Sequence, residues 1–591
     1  MAPAPIEADD DLLNLVHRGW DHLRLQRPLA AWACWQRALR LNPENVAATE
    51  ALDRLSTAPD LPALARSALA FQNPRDPARR SRWDKALRGR DVSDLEVAAA
   101  AFGELAGGRD AQAAYNQALC FAWLGRNLDA IDALDVVVQL LADADFAFAT
   151  HAWALSDLLR QGAGAEDVAD DLNYAVQVVG PIDSDEVLEF AAEHGAARLV
   201  RTPGAAEIGV AGTGETRVFE WLDRPFGEDL HAATGVEDIP RLLAMGVASS
   251  GSLRFSSPEP LGLDEAIEAL DEVGMFAGCD VERSATPLQL TLLDAAVWSF
   301  RLPEGLEAEH RGPLYRAEVE HYYESIWIRR ARHGLDGLTP LEASRRAVGG
   351  DATLRAKLAG VILMREQLGD RPRTAALYQG YPFDRLRRRL SVPLRDPTAV
   401  EGADESCLGP EELDALDPAT LEVARLADAF ASAEALRDDI RSARFADEVL
   451  LRPASIAAGA SLQAAAATLV RLALAADDPD LALDQIDRAI AVDAAEQGGR
   501  MFKVLTIWKA EVYARSGEPE AASRVYSEVL EADPNDVATA VDGAETLIDN
   551  DEEEAARTLL DIAILRATKS GQPELGQRAQ RLLELLDASP T

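Results

Sequence analysis

The residues best able to support chemistry in this chain are its histidines, its cysteines and one group of arginines. None of the eight histidines stands four residues from another with an intervening glutamate, the spacing that a zinc protease needs. The four cysteines are far apart and include no Cys-x-x-Cys pair, so neither a zinc ribbon nor a disulfide framework is predicted. No phosphate-binding loop or Gly-x-Ser-x-Gly elbow occurs. We therefore expect no catalytic residue, no metal and no cofactor.

One glycine-rich stretch, Gly209–Gly214, has the composition of a phosphate-binding loop. It leads into a strand-like pattern, whereas a phosphate cradle requires a helix N-terminus at that point. We interpret it as a hairpin turn, with ligand binding as the weaker alternative.

A basic segment is the main alternative site. Between Arg329 and Arg395 there are fifteen Lys or Arg residues and six Asp or Glu residues. Interleaved cations and aromatic rings can bind nucleic acid through phosphate contacts and base stacking. The favoured interpretation is that these arginines form ion pairs with acidic groups of the same chain. The residues concerned are Tyr378, Tyr381, Phe383, Arg385, Arg387, Arg388 and Arg389.

Composition limits the classes of function. The chain has 591 residues, enough for about three to five domains. Its 59 Lys and Arg residues against 100 Asp and Glu give a net charge of −41, which repels nucleic acid and anionic membranes. No apolar leader and no stretch long enough to cross a membrane is present, and the scattered cysteines suit a reducing compartment. We expect an acidic, cytoplasmic protein, and the Ala-, Arg- and Leu-rich composition suggests a bacterial source.

A repeated helical pattern is the clearest signal in the chain. Small residues stand where two helices must cross closely, large residues fill the space between them, and a proline follows the second helix. Such a unit of about 34 residues cannot bury its apolar face alone and must stack on neighbours. The C-terminal copy uses Ala510, Tyr513, Gly517, Ala522, Tyr526, Val529 and Pro534, and the N-terminal copy uses Gly19, Ala31, Trp35, Ala38 and Pro43.

The predicted fold is mainly α, with helical hairpin arrays at both ends and a small α+β module between them. Short segments rich in Val, Ile, Phe and Thr predict strands in the central module, whereas 145–160 and 165–179 are predicted as helices. The predicted strands are Ala196–Thr202, Glu207–Val210, Thr216–Trp221 and Gly251–Ser256. The predicted divisions are an N-terminal array at 1–195, the α+β module at 196–300, a basic helical module at 301–395, a linker at 396–408 and a C-terminal array at 409–591.

The repeat spacing resembles the tetratricopeptide repeat (TPR) family. In that family the first helix of each hairpin lines a groove that binds partner peptides, so the resemblance implies partner contacts at the matching positions. For the two tryptophans of the N-terminal array, ordinary packing between repeats is the favoured alternative. The implied positions are Trp20, Leu119 and Trp123 in the N-terminal array, and Glu511, Arg515, Glu545 and Asp549 in the C-terminal one.

These observations predict a non-catalytic scaffold that binds partner proteins or peptides in helical-repeat grooves, with no membrane association and with nucleic acid disfavoured. A second hypothesis is a regulator of the nucleic-acid or toxin–antitoxin type that uses the basic residues 320–395. The run Gly337–Ala343 is similar to the toxin-contacting domain of certain Xre-type antitoxins. Its residues predict a turn at Gly337 and a helix that starts at Thr339 with Pro340 in its first turn. The partner and the oligomeric state stay open.

Overall fold

The computed structural model describes residues 6–88, 95–182, 186–187, 189–190, 197–199, 217–224, 236, 239–249, 251–290, 295–302, 306–372, 374–396, 398, 405–533, 536–550 and 552–588. The chain divides into two compact units, Met1–Asp396 (unit 1) and Pro397–Thr591 (unit 2). The finer domain boundaries expected above stay a prediction.

Unit 1 begins with an array of helices, most of which pack on the next helix in the chain. Side-chain caps fix several of the starts: Asp110, for example, accepts a hydrogen bond from the Ala113 N–H. The helices are α1 (Ile6–Arg24), α2 (Pro28–Leu41), α3 (Val46–Thr57), α4 (Ala63–Arg66), α5 (Arg80–Arg88), α6 (Leu95–Ala106), α7 (Ala111–Leu124), α8 (Asn127–Leu141) and α9 (Phe146–Arg160).

The close helix crossing predicted for the first hairpin is confirmed. A Cβ atom added at Gly19 in α1 would lie 2.1 Å from Nε1 of Trp35 in α2, so only glycine fits there. Trp35 is completely buried, and its Nε1 donates a hydrogen bond of 3.1 Å to the Val16 carbonyl. The spacing of small and large residues therefore reports the real interface between the two helices.

The centre of unit 1 is a six-stranded antiparallel sheet. Its order is β2-β3-β4-β5-β1-β6, and the helix α10 (Pro260–Glu272) packs its apolar face on it. The strands are β1 (Leu172–Val179), β2 (Ala197–Leu199), β3 (Arg217–Leu222), β4 (Leu242–Ser249), β5 (Ser252–Ser257) and β6 (Asp280–Pro287).

The sequence predicted this sheet only in part. The helix expected at 165–179 is wrong, because β1 occupies Leu172–Val179 and is held by pairing with β5 and β6 much later in the chain. The strands expected at 216–221 and 251–256 are confirmed as β3 and β5, while β4 and β6 were not anticipated. The expected strand at 207–210 and the glycine-rich stretch 209–214 lie outside the described residues.

The remaining helices of unit 1 return to the N-terminal array. Helix α14 (Ala352–Gly369) packs closely on α9, and a Cβ atom at Gly360 would lie 2.6 Å from the Trp153 Cβ. The helix start predicted at Thr339 is confirmed, with a capping box formed by Thr339 and Glu342. The helices are α11 (Ala295–Trp298), α12 (Ala308–His321), α13 (Pro340–Val348), α14 (Ala352–Gly369), α15 (Ala375–Tyr378) and α16 (Phe383–Arg389).

Unit 2 is built from helices alone in the part of it that the structure describes. From α23 (Phe502–Arg515) onward each helix packs on the next helix and on the next but one, the contact pattern of stacked, TPR-like hairpins. The helices are α17 (Pro410–Ala415), α18 (Val423–Ala435), α19 (Asp439–Leu451), α20 (Ala454–Ala457), α21 (Leu462–Ala475), α22 (Pro479–Glu496), α23 (Phe502–Arg515), α24 (Pro519–Ala532), α25 (Val537–Asp549), α26 (Glu553–Ser570) and α27 (Pro573–Ala588). The predicted fold class, mainly α with hairpin arrays at both ends of the chain and a small sheet between them, is confirmed.

Candidate protein-interaction groove

A groove of about 210 Å³ lies between α21 and α23 in unit 2. Both helices pack on α22, which holds them side by side and leaves the groove between them. Each helix contributes one stripe of residues spaced i, i+3, i+4 and i+7, which places all four on the same helical face. The lining residues are Ala467, Val470, Arg471 and Leu474 from α21, and Trp508, Glu511, Val512 and Arg515 from α23.

The groove combines an apolar floor with charged walls. Arg471 is committed to the chain itself, because it donates a hydrogen bond of 2.8 Å to the Asp439 carboxylate. Arg515 is exposed, and its charge acts on Glu511, which lies one helical turn before it on the same face. Burial raises the pKa of Glu511, and the charge of Arg515 opposes that shift. The groove therefore offers one exposed guanidinium beside an apolar surface that includes the indole of Trp508.

Two predicted contact residues, Glu511 and Arg515, thus lie in one groove, while Glu545 and Asp549 lie one hairpin further on. Glu545 of α25 accepts two hydrogen bonds from Arg578 of α27, at 3.1 and 2.7 Å, and is held within the array. Asp549 is exposed. The contribution of all four residues to partner binding stays a prediction.

The three predicted contact residues of the N-terminal array lie within its packing. Trp20 meets Trp35 edge to face, with ring centroids 4.9 Å apart, and Leu119 is completely buried. Trp123 stacks on Trp32 at 6.0 Å and meets Phe71 at 4.9 Å. The contacts of the two tryptophans with Trp35 and Trp32 are those expected of packing between helices, whereas Phe71 lies in the segment that follows α4. Leu119 presents no surface to a partner.

The arginines of the basic segment are engaged within unit 1. Glu324, nine-tenths buried, accepts hydrogen bonds from Arg385 at 2.8 Å, from Arg389 at 2.9 Å and from the Tyr381 hydroxyl at 3.0 Å. Burial by itself raises the pKa of Glu324, but the charges of Arg389 and Arg385 outweigh it and hold the pKa below its usual range. The internal ion pairs favoured from the sequence are therefore present.

Arg387 follows the same pattern from the opposite side of α16. It donates to Glu366 at 2.6 Å and to Asp384 at 3.1 Å, and its side chain is only 5% exposed. A guanidinium held in this way is not presented to a phosphate backbone.

A second buried charge cluster, which was not predicted from the sequence, joins α9 to α14. Arg365 of α14 donates to Asp171 at 2.6 Å and lies 3.6 Å from Asp157 of α9. Both carboxylate oxygens of Asp157 are buried without a hydrogen-bond partner. Burial raises the pKa of Asp157 to about 6, although the charge of Arg365 opposes the shift. These groups lie at an interface between helices and fix how α14 meets the array.

The described residues include one group with metal-ligand proximity. Glu307, Glu309 and His310 place one possible ligand atom each within 4.8 Å of one another. Both glutamates are exposed, and surface carboxylates commonly cluster in so acidic a chain, so the group carries no proposal. Among the described residues, no helix is sufficiently long and apolar to span a bilayer.

No family model and no curated protein matches the chain. Among solved structures it is similar to the TPR domain of P58(IPK), with 13% identity over 86% of this chain and 99% of that chain and a TM-score of 0.19. It is similar to yeast Tom70, with 12% identity over 98% of both chains and a TM-score of 0.20. It is similar to the APC/C hetero-tetramer Cut9–Hcn1, with 12% identity over 96% of both chains and a TM-score of 0.20. Likeness at this level shows no function for this chain.

Proposed function

We propose that this protein is a non-catalytic scaffold that binds a segment of a partner protein in the groove between α21 and α23. The observation that carries the proposal is the pairing of two helical stripes, which place a half-buried Trp508 and an exposed Arg515 in one apolar groove. Tryptophan and arginine dominate the binding energy of protein interfaces when they lie together in a concave surface.

The chemistry of the groove selects the class of partner. The floor made by Val470, Leu474 and Trp508 suits an apolar side chain, and Arg515 suits a carboxylate near it. The partner segment is therefore expected to carry an apolar residue next to an acidic one. Its affinity should fall as salt rises, since the pair with Arg515 would be partly exposed.

Affinity capture with matched baits tests the proposal. The wild-type chain, a Trp508→Ala/Arg515→Glu variant and an Arg524→Glu control are each used to capture proteins from native lysate, followed by quantitative mass spectrometry. Arg524 lies on α24, is exposed and does not line the groove. Arg524→Glu therefore makes the same charge change as Arg515→Glu at a position outside the groove. We expect partners to be captured by wild type and control and lost from the groove variant by at least about tenfold. Partners retained equally by all three baits would contradict the proposal.

As part of this proposal we place the protein in the cytoplasm. All four cysteines are free thiols, and three of them are buried, which suits a reducing compartment. A bacterial source stays a prediction from composition. We put forward no nucleic-acid function, since Arg385, Arg387 and Arg389 are already engaged by carboxylates of their own unit.

A further inference from the structure

In unit 1 a short extended segment lies across the N-terminal helices. This segment, residues 67–76, follows α4 and is here named the strap. Asn116 of α7 is completely buried, and its amide binds the backbone of one strap residue on both sides. Its Oδ1 accepts from the Gln72 N–H at 2.7 Å, and its Nδ2 donates to the Gln72 carbonyl at 3.0 Å. Because both bonds go to the main chain, Asn116 recognises an extended peptide whatever side chain stands at that position.

The neighbouring strap residue supplies an aromatic anchor. The ring of Phe71 lies 5.4 Å from Phe102 and 4.9 Å from Trp123, measured between ring centroids. Trp83 of α5 adds a hydrogen bond of 3.0 Å from its Nε1 to the Gln72 carbonyl. An aromatic ring in an aromatic pocket, next to a clamped backbone unit, is the arrangement by which proteins hold bound peptides.

The strap does not fill the hollow in which it lies. A cleft of about 830 Å³ opens beside it and is lined by Trp32 and Gln36 of α2, by strap residues 69–73 and by Trp123. The Nε1 of Trp123, one of the lining residues, is buried without a hydrogen-bond partner. The cleft is large enough for a second extended chain beside the strap or in its place.

We propose that the strap is the internal occupant of a peptide-binding cleft, and that an extended segment of a partner protein displaces it. The partner segment would place an aromatic ring between Phe102 and Trp123, and the backbone of its next residue would bind Asn116. The strap is held by the amide clamp, by the Trp83 hydrogen bond to the Gln72 carbonyl, by the contacts of the Phe71 ring and by exposed contacts such as the Arg75–Asp145 pair. An aromatic residue followed by any residue other than proline can make the first three. A peptide of the same chemistry can therefore replace it. This site is distinct from the groove of unit 2, so either proposal can fail alone.

The test uses the full chain and a fluorescein-labelled synthetic peptide of residues 67–76 as the probe, with binding followed by anisotropy. Gln72→Pro removes the backbone N–H that donates to the Oδ1 of Asn116, and Gln72→Ala is the matched control that keeps this N–H. Losing one buried hydrogen bond from the strap should make the Gln72→Pro chain bind the probe about tenfold more tightly than wild type. The Gln72→Ala chain should bind it as wild type does. A probe carrying proline at the position of Gln72 should bind all three chains at least about tenfold more weakly.

Two outcomes would overturn the proposal. One is a folded Gln72→Pro chain, with unchanged far-UV circular dichroism, that binds the probe no more tightly than wild type. The other is a proline-containing probe that binds as well as the native one. Either result would make the strap a structural connector. If Gln72→Pro does not fold, Phe71→Ala loosens the strap by removing its aromatic anchor. The Phe71→Ala chain should then bind the native probe more tightly than wild type, and equal binding would overturn the proposal.

Discussion

Replacing Glu324 with glutamine tests whether the basic segment is stabilised by internal ion pairs. The substitution keeps the shape of the side chain and removes the charge shared by Arg385 and Arg389, which lie 2.8 and 2.9 Å from its oxygens. Removing one partner of a buried ion pair typically costs about 3–5 kcal/mol, because the remaining charge stays buried. Arg385 keeps a second carboxylate, Glu320, at 3.1 Å, so we expect the lower end, about 3 kcal/mol.

The assay can follow unit 1 specifically, because nine of the ten tryptophans fall within Met1–Asp396. Urea is the denaturant of choice, since guanidinium chloride would screen the ion pairs. With a slope of about 3 kcal/mol per molar, a loss of about 3 kcal/mol lowers the urea midpoint of the tryptophan fluorescence transition by about 1 M.

Glu320→Gln is the matched control. Glu320 is one-third exposed and pairs with Arg316 and Arg385, so its loss should cost less than about 1 kcal/mol. Equal effects of the two substitutions would refute the reasoning, because the buried carboxylate would then contribute no more than an exposed one. A second readout is oligonucleotide binding, for which we expect no salt-dependent anisotropy change with the wild-type chain.

Two further substitutions probe the core of each unit. Because burial raises the pKa of Asp157 from 3.8 to about 6, the folded chain binds this proton more tightly than the unfolded chain, and stability falls as pH rises between those values. In urea unfolding, the stability of Asp157→Asn relative to wild type should therefore rise by about 2–3 kcal/mol from pH 4 to pH 6 and then level off, and a flat difference would contradict this. In unit 2 a Cβ atom at Gly543 would lie 2.9 Å from the Tyr526 ring, so Gly543→Ala should destabilise α25 by about 1–3 kcal/mol, although alanine normally favours a helix. Circular dichroism during urea unfolding measures this loss of stability. Gly576→Ala is the control, because its added Cβ would meet only the Ala567 Cβ at 3.1 Å and should lower the stability little.

The helical hairpins could be predicted from the sequence because their signals are local. Gly19 and Trp35 are separated by one hairpin, and the need for a small residue opposite a large one appears directly in their spacing. The same holds for Gly543 and Tyr526 in unit 2. Helix starts such as Thr339 carry their own cap within four residues, so the signal and the structure coincide.

The sheet could be predicted only in part because its pairing is distant in sequence. Val178 of β1 pairs with Leu253 of β5, and nothing near Val178 indicates this partner. β6 is an exposed strand at the edge of the sheet, and its polar residues lack the alternation that identifies a half-buried strand. Tertiary pairing therefore decided the conformation of β1, where local composition had suggested a helix.

In the groove of unit 2, Glu511 and Arg515 of α23 could be predicted from the sequence, but the residues of α21 on the opposite side could not. Trp508 stands three residues before Glu511 and seven before Arg515, so its place on the same face was available from spacing alone. The bonds between Asn116 and Gln72 had no such signal, because they join a loop to a helix through the main chain. Contacts of that kind become visible only in the folded chain.

The two candidate surfaces differ in what a partner must do to reach them. In the groove of unit 2 Arg515 is already exposed, so association needs no displacement and should respond to salt through the encounter rate. In the cleft of unit 1 Asn116 is already bonded to the strap, so a partner binds Asn116 only after the strap has left. The association rate of the strap probe with the wild-type chain should therefore level off at the rate of strap release as probe concentration rises. In the Gln72→Pro chain this ceiling should be higher, because the strap has lost one of its bonds and leaves more often. A rate that rises linearly with probe concentration in both chains would show that the probe enters the cleft beside the strap without displacing it.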